Sequence, residues 1–269
     1  MAVRVHRLRI GWVFMMTYAN ETIKKPQGSL MADEIASPSK ADSHKMFDRI
    51  SSRYDLLNRI LSLGIDSLWR RRLALMMREY SHRTVLDLAC GTCDLVLSSF
   101  RRNPDIECGI GIDMAGRMLD IGKRKIHNRG LSNRISLSLG DGMELPLADR
   151  SIDFAMISFG IRNMVDPAKA LAELRRVLTP DGHLAVLEFS IPENRIFRAL
   201  YLLYFRKLLP LIGGIVSGDR FAYNYLNRTV ETFYYGKAFC EMMRAAGFGD
   251  IRSRPLTFGI ATIYIGSAG

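Results

Sequence analysis

The stretch Thr84-Val-Leu-Asp-Leu-Ala-Cys-Gly-Thr-Cys-Asp-Leu95 decides the fold. Its first half, Val85-Leu-Asp-Leu-Ala89, is a short apolar run of the kind needed by a parallel strand buried on both faces. The run breaks at Gly91, and Asp94-Leu-Val-Leu-Ser-Ser-Phe100 resumes with helical spacing. Strand, tight turn of small residues and helix together bring backbone N–H groups up to a ligand at the strand's carboxyl end. Two more acids close the next apolar runs: Asp113 after Cys108-Gly-Ile-Gly-Ile112, and Asp141 after Ile135-Ser-Leu-Ser-Leu139. Steps of 26 and 28 residues separate Asp87, Asp113 and Asp141, about one βα unit each. Equivalent ends of parallel strands share one rim, so the three carboxylates are expected to line a single crevice.

Outward from this stretch the βα alternation continues. Strands are expected at 84–89, 108–112, 134–138, 152–158 and 183–189, and helices at 94–102, 115–128, 167–178 and 237–246. Asp166-Pro167 is a helix start, and Thr179-Pro-Asp-Gly182 a stop and turn. Two closing strands follow at 250–254 and 260–265. Ahead of the first strand, Phe47, Ile50, Tyr54, Leu57, Ile60 and Leu61 recur at steps of three and four. Gly64 then breaks the pattern before a second helix through Trp69 and Leu73, so residues 41–80 read as a helical lid. Residues 191–235, rich in Tyr, Phe and Leu, read as an apolar insertion in a single domain spanning 41–269.

Residues 1–40 are expected to be a disordered extension. The first 30 carry five Lys/Arg against Glu21 alone, +4 of the chain's net +11. The apolar stretch Gly11–Met16 is too short for a secretory signal. An organelle transit peptide fits the basic character but not the scarcity of serine, and an overlong start ahead of Met31 is the favoured reading.

At 269 residues, 48% hydrophobic and 24% charged, the chain reads as an ordinary globular protein with an unusually basic balance. Such a charge suits an anionic membrane surface, nucleic acid, an anionic substrate or a plain solvated surface. No basic cluster is interleaved with stacking aromatics, so no nucleic-acid partner is expected. Cysteines at 90, 93, 108 and 240 form no disulfide framework and suit a reducing cytosol. No apolar run approaches the roughly 18 residues of a membrane span. The nearest, Ile196–Leu211, is broken by Arg198, Arg206, Lys207 and Pro210. That pattern is compatible with a cytoplasmic protein, peripheral on the inner face of a membrane. An oligomer is compatible with these patterns.

A nicotinamide dinucleotide site would want G-x-G-x-x-G, whereas this turn offers Gly91 and an acid, Asp87, in the strand. A carboxylate there suits a ligand carrying positive charge. S-adenosyl-L-methionine has a sulfonium and an ammonium and no phosphate. Asp113 can accept both ribose hydroxyls, and Asp141 with Gly142, after the third strand, can receive the adenine amino group.

Further stretches make the resemblance specific: Tyr54-Asp55 with Gly64-Ile-Asp-Ser-Leu-Trp-Arg70, Ile157-Ser-Phe-Gly-Ile-Arg-Asn163, Arg175-Arg-Val-Leu-Thr-Pro-Asp-Gly182, Val186-Leu-Glu-Phe-Ser190 and Tyr223-Asn-Tyr-Leu226. With Val85–Ala89 they lie in collinear order across about 46–265, and they resemble the ubiquinone/menaquinone biosynthesis C-methyltransferase family, of the demethylmenaquinone methyltransferase type. The resemblance implies a class I methyltransferase fold. This is an α/β, Rossmann-like, mostly parallel sheet of seven strands with helices on both faces and its last strand antiparallel. It also implies contacts of Thr92 with the methionine part of the cofactor, Asp113 with the ribose, Asp141 and Gly142 with the adenine, and Ser158 at the methyl end. The chain departs from the family at Cys93, where glycine is usual. If that position needs a positive φ, a side chain there costs about 1–2 kcal/mol. Cys90-Gly-Thr-Cys93 alone is a weak redox or metal signal, and no metal is expected.

Methyl transfer to carbon needs an electron-rich ring carbon, which a reduced quinone becomes when a hydroxyl loses its proton. Arg162 and Asn163 directly follow the fourth strand, where such enzymes place substrate-facing groups. Arg162 is expected to stabilise the quinolate oxygen, Asn163 to orient it and Tyr54 to help relay the proton. Asp166 is the competing ion-pair partner for Arg162. The expected reaction is S-adenosyl-L-methionine-dependent C-methylation of a prenylated quinol, demethylmenaquinol or a polyprenyl methoxybenzoquinol. Ile196, Phe197, Leu200, Tyr201, Leu203, Tyr204 and Leu208 are expected to wall the tail channel. A methyltransferase for another small acceptor, and a non-catalytic subunit of a quinone-synthesis assembly, are the alternatives.

Overall fold

A computed structural model describes residues 39–209 and 220–269. Of the expected disordered extension, 1–40, residues 1–38 lie outside the described residues, as do positions 210–219 of the insertion. Ser39 and Lys40, by contrast, are structured, Ser39 capping a short 3-10 turn at Lys40–Asp42. Two lid helices, α1 (Ser43–Leu61) and α2 (Ile65–Met76), precede β1 (Thr84–Leu88). Then come α3 (Asp94–Arg102), β2 (Cys108–Asp113), α4 (Gly116–His127), β3 (Ile135–Leu139) and β4 (Ile152–Ser158). The chain continues through α5 (Pro167–Val177), β5 (Leu178–Phe189), α6 (Arg195–Leu203) and α7 (Arg220–Thr232). It closes with α8 (Lys237–Ala245), β6 (Gly249–Leu256) and β7 (Ala261–Ser267).

The strands form one sheet in the order β3-β2-β1-β4-β5-β7-β6. β1 to β5 pair in parallel, and β7 runs antiparallel between β5 and β6. Seven mostly parallel strands with the last one reversed is the expected architecture. Alternation along each strand divides the core in two. Val85, Phe154, Met156, Ala185 and Leu187 face Trp69, Leu73, Val96 and Leu119 of α2, α3 and α4. Leu86, Leu88, Ala155, Ile157 and Val186 face Leu171, Leu174, Phe239 and Met243 of α5 and α8. β1 is buried on both sides, its run being apolar but for Asp87, which is itself fully buried.

Most element boundaries fall within two residues of expectation, and the largest difference is at the start of β5. Thr179-Pro-Asp-Gly182 does not separate α5 from the fifth strand; it is an irregularity within β5. Leu178 already pairs with Ile152, and three extra residues are absorbed before His183 pairs with Phe154. Asp166 caps α5, its Oδ1 accepting the Ala168 and Lys169 N–H groups at 3.0 Å, with Pro167 in the first turn.

Over the carboxyl ends of the strands, Leu57 of α1, Tyr201, Phe205 and Leu209 of the insertion and Val230 of α7 make a third apolar cluster. This cluster joins lid and insertion above the rim. The rim itself is tight. A Cβ at Gly160, just past β4, would stand 2.5 Å from the Ala89 Cβ, so only glycine lets the ends of β4 and β1 approach this closely.

Candidate active site

The turn after β1 is wound left-handed at Ala89 (φ 53°), Gly91 (φ 53°) and Cys93 (φ 69°). That geometry turns the Gly91 N–H toward Asp113, whose Oδ2 accepts it at 2.8 Å while Oδ1 accepts the Ala115 N–H at 2.8 Å. Burial raises the Asp113 carboxyl above the usual range, and the two backbone donors oppose that shift. One strand over, Asp141 Oδ1 accepts the Met143 N–H at 2.9 Å. Between these acids lies a cavity of about 230 Å³, also lined by Gly142, Ser158 and Asn163, by Lys40, and by His44 and Tyr54 of the lid. A Cβ at Gly142 would stand 2.8 Å from Met164 Cε and 3.1 Å from Leu88 Cδ2, so a side chain there would crowd the cavity's lining. Two carboxylates from adjacent strand ends on one cavity form an acceptor set for sugar hydroxyls and an exocyclic amine. The residues present therefore fit S-adenosyl-L-methionine.

Two expected contacts lie elsewhere. Asp87 is not on the rim. It shares the Val85 face of β1, is fully buried under α3, and accepts the Val96 N–H at 3.0 Å with Oδ2 while Oδ1 has no partner. Burial pushes this carboxyl up to about 8, so it is largely protonated at neutral pH and offers no charge to a ligand. Thr92 does not line the cavity either. Its hydroxyl donates to Asp55 Oδ1 at 2.6 Å and accepts from Lys125 Nζ at 2.9 Å. Lys125 also stands 2.6 Å from Asp55 and 2.7 Å from Asp94, and Arg59 lies 3.5 Å from Asp94. Burial alone would raise the Asp94 carboxyl; Lys125, Arg70 and Arg59 together carry it below its ordinary value. Thr92 thus belongs to an ionic latch between the lid helix α1 and the cofactor turn.

A second, apolar cavity of about 310 Å³ shares Phe47, Tyr54 and Phe159 with the first. Trp69, Phe189, Tyr201, Tyr204 and Phe205 are among its walls, and its charged lining residues are Arg162 and the pair Arg70–Asp66, 2.5 Å apart. The Arg162 guanidinium is buried: Nη1 donates to Phe159 O at 2.6 Å and to Glu188 Oε1 at 2.8 Å. It lies 5.1 Å from the Phe189 ring centroid, and Nε has no partner. Its partner is therefore Glu188, not Asp166, which is committed to the α5 cap. Burial raises the Glu188 carboxyl, with Arg162 and the Phe189 N–H pulling the other way. Asn163 donates to Phe159 O at 3.2 Å and faces the cofactor cavity. Tyr54, edge-on to Phe47 at 6.0 Å, stands where the cavities meet.

Of the residues expected to wall a tail channel, Tyr201 and Tyr204 line the apolar cavity. Ile196, Phe197, Leu200, Leu203 and Leu208 do not; they are exposed on the outer side of the insertion, because its inner side is filled by Tyr201 and Phe205. Sequence reasoning missed Glu188, although an acid inside the apolar run Leu184–Phe189 was a visible signal. Cys90 and Cys93 are buried with their sulfurs 4.0 Å apart, and the Cys90 thiol is raised well above its ordinary value by its hydrogen bond to Cys93 and by burial. A thiol held protonated is a poor nucleophile and ligand. Among the described residues no group of three or more His, Cys, Asp or Glu could hold a metal ion.

The backbone is similar to a S-adenosylmethionine-dependent methyltransferase of Thermotoga maritima (TM-score 0.58, 20% identity, covering 84% of this chain and 99% of that one). It is equally similar to the [4+2]-cyclase SpnF (TM-score 0.58, 24% identity, 82% and 78% covered). These two likenesses establish the fold alone. In sequence, the demethylmenaquinone methyltransferase of Thermus thermophilus is 46% identical over 221 residues, 82% of this chain and 99% of the relative. The ubiquinone/menaquinone biosynthesis C-methyltransferase of Citrifermentans bemidjiense is 45% identical, covering 82% and 94%. The family model for ubiE/COQ5 methyltransferases matches residues 36–268. Fold, paired rim acids and sequence agree: the chain belongs to the ubiE/COQ5 methyltransferase family.

Proposed function

We propose that this protein methylates a ring carbon of a reduced, prenylated quinone in menaquinone or ubiquinone biosynthesis, with S-adenosyl-L-methionine as donor. The observation that carries the reading is the pair of adjoining cavities. One is lined by the acids Asp113 and Asp141; the other is mainly apolar, its charges being Arg162 and the Arg70–Asp66 pair, and Phe47, Tyr54 and Phe159 border both. An apolar chamber beside the cofactor cavity suits a flat ring with a hydrocarbon tail better than a charged or strongly polar acceptor.

The donor supplies an electrophilic methyl group on a sulfonium. Asp113 would hold its ribose hydroxyls, Asp141 and the Gly142 backbone its adenine, and Ser158 the methyl end. Arg162 cannot act as a base, since guanidinium stays protonated. Its part is electrostatic: a fixed positive charge in a water-poor chamber favours the deprotonated ring hydroxyl and so raises electron density on the adjacent carbon. Asn163 would orient that oxygen, and Tyr54, at the junction, would pass its proton toward solvent. Thr92 would act on the cofactor at one remove, by holding the lid through Asp55.

No described helix is long and apolar enough to cross a membrane. A peripheral position on the cytoplasmic membrane face fits an acceptor that resides in the bilayer. The test is a labelled-methyl transfer assay offering a prenylated naphthoquinol, a prenylated benzoquinol and a soluble phenol. Transfer to either prenylated ring supports the proposal; transfer to the phenol alone overturns it.

A further inference from the structure

The apolar cavity has two unusual lips. Leu63 lines it, at the hinge between α1 and α2, yet is 84% exposed and sits at φ 52° beside Gly64 at φ 77°. Thr257 lines it from the β6–β7 turn, and the next residue, Phe258, is 71% exposed. Thr257, Phe258 and Gly259 all have positive φ (45°, 57° and 89°). Large apolar side chains are rarely placed in the left-handed region, and rarely offered to water there. Both departures recur on two unconnected turns that border one cavity, and backbone strain of this kind gathers where a ligand or partner is engaged.

The turns are held in place from behind. The Trp69 indole N–H donates to Thr257 Oγ1 at 2.8 Å, tying the second turn to the lid. Phe258 stacks on Phe197 of α6 at 4.5 Å with the ring planes 6° apart, joining the lip to the exposed Ile196 and Leu200 on the same helix. Charge lies alongside. A cleft of about 400 Å³ shares Arg70 with the apolar cavity. Its Arg59 and Arg70 are paired with Asp66, so Arg101, Arg102 and Arg129 are the cations it offers to a ligand, with Asp94 the acid in its lining. Apolar wedges beside an arginine cleft match the layering of a bilayer surface, hydrocarbon beneath phosphate.

We propose that the Leu63 and Phe258 turns are membrane-inserting lips. On this account they dock the mouth of the apolar cavity on an anionic phospholipid bilayer, with lipid phosphates in the arginine cleft, so that the tail of the acceptor passes from bilayer to cavity without crossing water. This extends the reading of the site as one for a prenylated acceptor.

The test is co-sedimentation of the full chain with phosphatidylcholine vesicles, with and without phosphatidylglycerol, for the parent and for Phe258→Asn/Ile196→Ser. Neither residue lines either cavity, and asparagine tolerates the left-handed backbone at 258. The parent should bind the anionic vesicles more tightly and lose that preference in high salt. The double variant should bind at least about tenfold more weakly. It should methylate a vesicle-borne prenylated quinol correspondingly more slowly, but a soluble short-chain quinol within about twofold of the parent rate. Equal vesicle binding by parent and variant overturns the proposal, as does a parent that ignores vesicles, or one whose exposed lips are covered in a dimer that the substitutions dissociate. Sedimentation requires no catalysis, so failure of the methylation reading appears separately, as no transfer to either quinol.

Discussion

Arg162 Nη1 lies 2.8 Å from Glu188 Oε1, with both side chains buried and Glu188 extending from β5 to the turn that follows β4. The pair spans adjacent strands at the sheet's carboxyl edge, so the arginine's position is set by the sheet rather than by a mobile loop. Glu188 also accepts the Phe189 N–H at 2.8 Å, which fixes the carboxylate in turn. Removing one member of a buried pair leaves the other uncompensated, at a cost of about 3–5 kcal/mol.

Glu188→Gln retains an acceptor for Nη1 and removes the countercharge. Arg162 should then hold less firmly to its place, and turnover should fall by roughly tenfold to a hundredfold. The dissociation constant for S-adenosyl-L-methionine, read by calorimetry, should stay within about threefold. Arg162→Ala should lower turnover further, by about a hundredfold or more, again with small change in cofactor binding. Equal loss of turnover and cofactor affinity in either variant would show that the pair supports the fold and not the acceptor.

Asp113→Asn separates two roles of one carboxylate. The side chain anchors the Gly91 and Ala115 N–H groups, and it also lines the cavity. One neutral amide cannot replace both oxygens as acceptors. Cofactor affinity should fall by roughly tenfold to a hundredfold, the size expected for losing a charge-assisted hydrogen bond. Asp141→Asn keeps an acceptor for Met143 N–H and should cost less.

Asp55→Asn tests the latch. Lys125 lies 2.6 Å from Asp55 and Thr92 donates to the same carboxylate, so α1 is held to the cofactor turn by a charge network. The network is partly exposed, so its loss should be worth about 1 kcal/mol or less to global stability. Its kinetic effect should be larger: stopped-flow measurement should show faster cofactor dissociation in the variant, with the melting temperature nearly unchanged.

Much of this arrangement was legible from residue patterns. The strand–turn–helix at 84–102, the spacing of Asp113 and Asp141, and the closing antiparallel strand follow from local periodicity and turn chemistry, which act over a few residues. Asp87 was misplaced because an acid in an apolar run signals something unusual without saying which face it occupies; alternation with Val85 places it under α3. Glu188 was missed because the partner of Arg162 is 26 positions away along the chain, a relation only the sheet register creates. The family resemblance alone gives Thr92 to the cofactor; that Asp55 and Lys125 hold its hydroxyl is invisible to residue patterns, because they come from helices distant in sequence. The outward turn of Ile196 and Leu200 was equally hidden, since a helix with apolar residues on two faces does not declare which one the core takes.

The buried Asp87 predicts a pH dependence of stability. Its carboxyl rises from the ordinary 3.8 to about 8 in the folded chain, so between those values the native state holds a proton that the unfolded state has released. Stability associated with that proton is complete below about pH 4 and is lost as pH climbs toward 8. The melting temperature should therefore decline from pH 5 to pH 8, by an amount on the order of 10 °C for a chain of this size. Asp87→Asn, which keeps an oxygen for the Val96 N–H, should flatten that decline. A decline of equal slope in the variant would assign the effect to other groups.

Cys93 and Gly122 form the last testable pair. Cys93 occupies the left-handed region at φ 69°, where a side chain costs about 1–2 kcal/mol. Its sulfur is fully buried against α4, so close that a Cβ on Gly122 would stand 2.4 Å from it. The thiol is thus both strained and packed, and Gly122 is the complement that gives it room. Cys93→Gly should relieve the strain and leave a small void, two effects of opposite sign that keep the net change within about 1 kcal/mol. Gly122→Ala alone should destabilise by about 1–3 kcal/mol through overpacking. In the Cys93→Gly background the same alanine enters the space that the sulfur vacated and should be close to neutral. A double-mutant cycle by urea denaturation should therefore return a coupling of at least about 1 kcal/mol, while additivity would mean that helix α4 simply shifts to admit the methyl group.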